Sequence, residues 1–108
     1  MIGTTLDQTV PLGDGTGIDV CTPLTPITPS FNNELILTSW SPYTSVTGGT
    51  ISIDSGFNLR QWTTIVPGDH YSLAFADIIQ TTAGSVQPIW TNPGILDSSE
   101  TCFIGTFQ

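Results

Sequence analysis

Eight prolines and eleven glycines are scattered along the whole of this 108-residue chain, and they cut it into short pieces. No window long enough for a helix repeats apolar residues at the three- and four-residue spacing of an amphipathic helix. The pieces between the breakers are filled with Thr, Val, Ile and aromatic side chains, which suit a pleated, half-buried surface. Many short strands at regular spacing imply an all-β fold built as a two-sheet antiparallel sandwich. The expected strands are residues 4–10, 18–22, 24–28, 34–40, 50–53, 57–64, 71–81, 86–91 and 101–107, with 24–28 a proline-punctuated edge segment. Turns are expected at 12–17, at Val66-Pro67-Gly68-Asp69-His70, at Ala83-Gly84 and at Asn92-Pro93-Gly94. Two stretches alternate with period two: Tyr71, Leu73 and Phe75 share one face, and so do Phe103, Gly105 and Phe107, opposite Cys102, Ile104 and Thr106. There is no internal repeat and no linker, so residues 1–108 read as a single domain.

Charge narrows the partners. One Arg, no Lys and nine acids give a formal charge of −8. Nothing in such a chain neutralises a row of phosphates, which argues against nucleic acid, and an anionic membrane surface is excluded for the same reason. No apolar run is long enough to span a bilayer as a helix. Polarity comes instead from 18 Thr and 10 Ser. A Thr-rich surface, the lack of Lys and an even pair of cysteines suggest a secreted protein cut from a longer precursor, with Met1 an expression start. Cys21 and Cys102 are then expected to form a disulfide; the alternative is two buried thiols in a cytosolic protein.

Three Trp in so small a chain exceed what one sandwich core needs. Trp62 stands among Arg60, Gln61 and Thr63, Trp40 beside Ser41-Pro42-Tyr43, and Trp90 before Thr91-Asn92. Each is either a core residue or an exposed ring, and flat exposed rings with amide and hydroxyl neighbours suit the apolar face of a sugar. Arg60, two residues from Trp62, is expected on the same strand face, either as a hydrogen-bonding fork or as a rim ion pair. Asp14 and Asp19 flank a glycine-rich turn that either binds Ca2+ or simply turns. His70 with Asp69 has no nucleophile elbow and reads as a turn residue. Glu34 and Asp77 read as structural acids rather than a glycosidase pair.

Several stretches resemble a β-sandwich module of secreted soil-bacterial proteins. They are Pro29-Ser30-Phe31-Asn32-Asn33-Glu34-Leu35-Ile36-Leu37, Ser55-Gly56-Phe57-Asn58-Leu59-Arg60, Ala74-Phe75-Ala76-Asp77-Ile78-Ile79, Thr82-Ala83-Gly84-Ser85-Val86 and Cys102-Phe103-Ile104-Gly105-Thr106-Phe107. In order and spacing they cover nearly the whole chain. The chain is similar to the carbohydrate-binding modules of soil-bacterial endoglucanases that take β-1,4- and mixed-linkage glucans. The resemblance implies a jelly-roll-like sandwich with an aromatic surface for a glucan chain, tethered to a catalytic domain and not itself catalytic.

The resulting expectation is a module that holds a neutral β-glucan polysaccharide. Trp62 and Trp90 would stack on its rings, Trp40 and Tyr43 would extend the surface, and Arg60, Gln61, Gln87 and Asn92 would bond hydroxyls. No cofactor is required beyond the possible Ca2+. The alternative is a structural or interaction sandwich, such as a virion decoration or adhesin domain, whose exposed apolar side chains meet a protein partner.

Overall fold

The structure, a computed structural model, describes residues 5–14, 20–23, 25–41, 51–54, 56–65, 71–92 and 101–108; for 10–14, 61–65, 71, 72 and 101 it describes the backbone alone. The described residues form eight strands: β1 (Leu6–Asp14), β2 (Val20–Cys21), β3 (Glu34–Ser41), β4 (Ser52–Ile53), β5 (Asn58–Ile65), β6 (Tyr71–Gln80), β7 (Trp90–Thr91) and β8 (Thr101–Phe107). Every pairing is antiparallel. They form a five-stranded sheet, β1-β8-β3-β6-β5, and a three-stranded sheet, β2-β7-β4. The chain is thus an all-β, two-sheet antiparallel sandwich. The pairs β1–β8, β2–β7 and β3–β6 nest like a long hairpin folded over on itself, which is jelly-roll order. β5 departs from it by lying on β6 rather than on β4.

Two strand expectations shift. β1 does not turn at Leu12 but continues to Asp14, with its register broken between Val10 and Gly13. The break accommodates Pro11, which has no N–H to give to a ladder. Among the described residues, segments 24–28 and 86–91 pair at one bridge, Ile27 to Val86, closed by two backbone bonds of 2.9 and 2.8 Å. Prolines at 26, 29 and 88 keep these segments from extending their pairing. Asn33 enters β3 in the left-handed region (φ 63°), a conformation that asparagine tolerates better than most residues.

The core follows the period of two. Along β3, Glu34, Ile36, Thr38 and Trp40 are buried and the residues between them are not. Their cross-strand partners continue the inner face: Trp40 stands between Ala74 and Cys102, and Thr38 between Ala76 and Ile104. Trp90 of the small sheet comes down onto this surface, its ring centroid 6.2 Å from that of Trp40 at a tilt of 39°. One buried cluster therefore joins both sheets through Cys21, Trp40, Ile51, Ala74, Ala76, Trp90 and Cys102. A second, at the other end, holds Ile27, Ile36 and Ile104 with Phe57, Ile78 and Val86 against them.

The expected disulfide is formed. Cys21 and Cys102, 81 positions apart in sequence, link β2 to β8 and so sheet to sheet. Titration of the unfolded, unreduced protein should find no free thiol. Closing a loop of that length should stabilise the fold by about 4 kcal/mol in the chain-entropy model. Cys102→Ser paired with Cys21→Ser should lower the unfolding free energy by an amount of that order. An unchanged denaturant midpoint would contradict the link.

Candidate functional site

The outer face of the five-stranded sheet is where this fold departs from an ordinary soluble surface. Period two makes the outward residues of β3 and β6 those between the core positions, and several are large and apolar. Leu37, Phe75 and Ile79 are 38%, 47% and 51% exposed. The register lines them up. Ile79 is opposite Leu35, Leu35 opposite Phe107, and Phe107 opposite Leu6, itself half exposed at the β1 edge. In the row at the other end Phe75 faces Ser39, and Ser39 faces Phe103. Between the two rows, Leu37 lies opposite Gly105 on one side and Asp77 on the other. The Phe103 ring lies over Gly105: a Cβ there would come within 3.0 Å of its Cζ. Glycine at this position lets the ring lie down on the sheet instead of standing off it.

One ion pair sits in this face. The Arg60 Nε and Nη2 groups donate to the two oxygens of Asp77 at 2.6 and 2.9 Å. The two side chains are 62% and 18% exposed. Hydrogen bonds from Arg60 hold the Asp77 carboxyl below the ordinary value of 3.8, and the bonds to Asp77 raise Arg60 above its own ordinary value. The fork is bidentate, the geometry for which guanidinium is suited. Arg60 and Asp77 thus cancel each other's charge among the apolar side chains described on this face.

Of the aromatic residues singled out in the sequence for a sugar surface, the two whose side chains are described lie in the core. Trp40 and Trp90 are fully buried in the core, so neither can stack on a ligand. The Trp90 indole N–H donates to Thr38 Oγ1 at 3.0 Å, and that hydroxyl donates to the Phe103 carbonyl at 2.8 Å. Asn92 is likewise buried, only 2% exposed, and is not available to bond hydroxyls. Gln87 gives its amide N–H to the Pro23 carbonyl at 2.6 Å, a structural tie between segments. Arg60 is exposed as expected, in its role as an ion-pair partner. It does not stand simply two residues along a regular strand from Trp62: the β5–β6 register shifts between Leu59 and Gln61, so Arg60 sits in a bulge. The backbones of Gln61 and Trp62 pair with Phe75 and Ala74, while their side chains lie outside the described residues. So do Tyr43, Asp19, Asp69 and His70, and so does the side chain of Asp14, whose backbone ends β1 opposite Thr101. Among the described residues no group of three or more His, Cys, Asp or Glu side chains could hold a metal ion.

Glu34 and Asp77 lie on opposite faces of one sheet. Glu34 is buried and accepts the Phe31 N–H at 2.7 Å, whereas Asp77 points outward to Arg60. They cannot flank one glycosidic bond. What the sequence reasoning passed over is the outward set on β3 and β6. The signal was present in the alternation of Leu73, Phe75 and Ala74, Ala76, and in Phe103, Gly105, Phe107.

No protein-family model matches the chain, and no curated protein and no solved structure matches it.

The ion pair makes a prediction with a definite sign. Asp77 is depressed in the folded chain, so the stability it lends is present above its ordinary value and is lost as pH falls through the lower folded value. Carboxyl carbon shifts followed by NMR should place the Asp77 titration below 3.8, and Arg60→Gln should move it back up toward that value. A midpoint unmoved by the substitution would show that Arg60 is not its cause.

Proposed function

We propose that the chain is a non-catalytic β-sandwich module that docks a protein partner on the outer face of its five-stranded sheet. The observation that carries this reading is the run of large apolar side chains on adjacent strands, Leu37, Phe75 and Ile79, each exposed by more than a third, continued by Leu35, Phe103 and Phe107. Single exposed hydrophobics are ordinary on soluble proteins, but contiguous apolar faces mark interaction sites. The Cys21–Cys102 disulfide that staples one sheet to the other fits an oxidising, extracellular setting, as a structural or adhesive module would have.

The glucan-binding expectation receives less support. Two of its three Trp and one of its amides are buried, and the large exposed side chains described on the outer face are mostly apolar. A sugar site needs hydrogen-bonding groups beside its rings to hold hydroxyls. Among the described side chains the polar members are Ser39, Ser41, Asn58 and the Arg60–Asp77 pair, and the pair satisfies itself.

A photo-crosslinking residue placed at position 75 or 79 in the host that makes the protein, with Thr28 as an exposed control, tests the reading. The expected result is one discrete protein partner, identified by mass spectrometry, from positions 75 and 79 and not from 28. Phe75→Ser should remove the product formed from position 79 while leaving the thermal unfolding midpoint within a few degrees, because its ring is half in solvent. Affinity electrophoresis through barley glucan should show no retardation. Retardation that Phe75→Ser abolishes would instead assign the face to polysaccharide.

A further inference from the structure

We infer that the partner surface taken by this face is a protein surface with an apolar centre and a rim of Lys and Arg, an inference that rests on the docking reading above. Two observations point to it. The first is size. The apolar rows span five residues on each of β8, β3 and β6, so strand spacing of about 4.8 Å and a rise of about 3.3 Å per residue give roughly 240 Å². A stable interface needs about 800 Å² on each partner. The contact must therefore run past the hydrocarbon and onto the surrounding surface.

The second is charge. The chain has nine acids, and its one Arg is committed to Asp77 inside the face. There is no Lys anywhere in the sequence. What surrounds the face is thus acidic or neutral, with no free Arg or Lys to answer an acid on the partner. A second copy of the chain is the wrong occupant on this ground, because two molecules of charge −8 would close with nothing to offset their repulsion. A basic rim answers the chain's net charge of −8, steers the encounter and leaves the neutralised centre to pack.

Three synthetic β-hairpin peptides serve as probes of the intact 15N-labelled chain. Two share an apolar face of Val and Ile and differ only at the rim, with Lys in one and Glu in the other. The third keeps the Lys and has Ser in place of the Val and Ile. The Lys-rimmed hairpin is expected to shift the amides of Leu37, Phe75 and Ile79 and to bind about tenfold or more tighter than the Glu-rimmed one at low salt. The gap should narrow at about 0.5 M salt, where charges are screened over a few ångströms. The serine hairpin should leave those amides unmoved, and the double variant F75S/I79S should lose the footprint; should that variant unfold, Phe75→Thr keeps a strand-compatible side chain and serves alone. Equal affinity for the Lys and Glu hairpins at this face overturns the basic-rim inference and leaves the docking reading standing. Lys-dependent shifts confined to acids away from the face overturn it as well. A concentration-dependent dimer that shifts the same amides without any peptide makes a second copy the occupant. If no hairpin reaches the face and crosslinking from position 75 finds no partner, the docking reading falls with it.

Discussion

The burial of Trp90 against Trp40 is the contact on which the sandwich depends. The small sheet has three strands of only two residues each, and each of its two pairings spans two residue pairs. Backbone hydrogen bonds in such a ladder are too few to hold it, since even a longer isolated hairpin is marginal in water. What fixes it is the middle strand's indole, fully buried among Trp40, Ala74 and Ala76, together with the Cys21–Cys102 bond from its edge strand. The indole N–H would be costly to bury without a partner. Thr38 supplies one, and by donating onward to the Phe103 carbonyl it ties β7 to both β3 and β8. Replacing Trp90 by Ala would empty a site that the surrounding alanines are too small to fill, and core Trp losses cost about 3–5 kcal/mol.

The same packing decides the other side of the large sheet. Two indole rings between the sheets leave room on β6 only for small side chains, and Ala74 and Ala76 are what stands there. Because successive residues of a strand point to opposite faces, turning the alanines inward turns Phe75 outward. Ile79 follows by the same period, and it lies opposite Leu35. The exposed hydrocarbon is thus a consequence of where the core put its volume. A sheet could have avoided it by carrying polar residues at those alternate positions, as antiparallel sheets with one solvated face usually do.

Much of the architecture was legible. Proline and glycine punctuation with β-branched pieces placed most of the strands, and the even cysteine pair led to the disulfide. The faces were not legible, for a physical reason. The alternation on β6 separates large from small residues without saying which set is inside, and a local rule would bury the large ones. The volume of Trp40 and Trp90, brought in from β3 and β7, reverses that choice. Polar neighbours misled the reading of the tryptophans for a related reason. In a strand the residues before and after point the other way, so Ser39 and Ser41 flanking a buried Trp40 say nothing about its exposure. The Arg60 bulge is a third case: a two-residue spacing implies one face only while the register holds, and here it shifts.

The one cation of the chain is placed where covering the face would otherwise be most expensive. Asp77 stands opposite Leu37 in an apolar surface. In the open chain its charge is still hydrated, and an exposed ion pair adds little to stability. Under a partner the situation changes, because a carboxylate cut off from water without a counter-charge costs several kcal/mol. Arg60, reaching from the bulge on β5 with both donors engaged, supplies the counter-charge before any partner arrives. A partner then has no charge to match at the centre of the face, and hydrocarbon there can pack on hydrocarbon. The bulge and the ion pair, of little use to a sheet that stays in water, are what a sheet needs if its outer surface is to be covered.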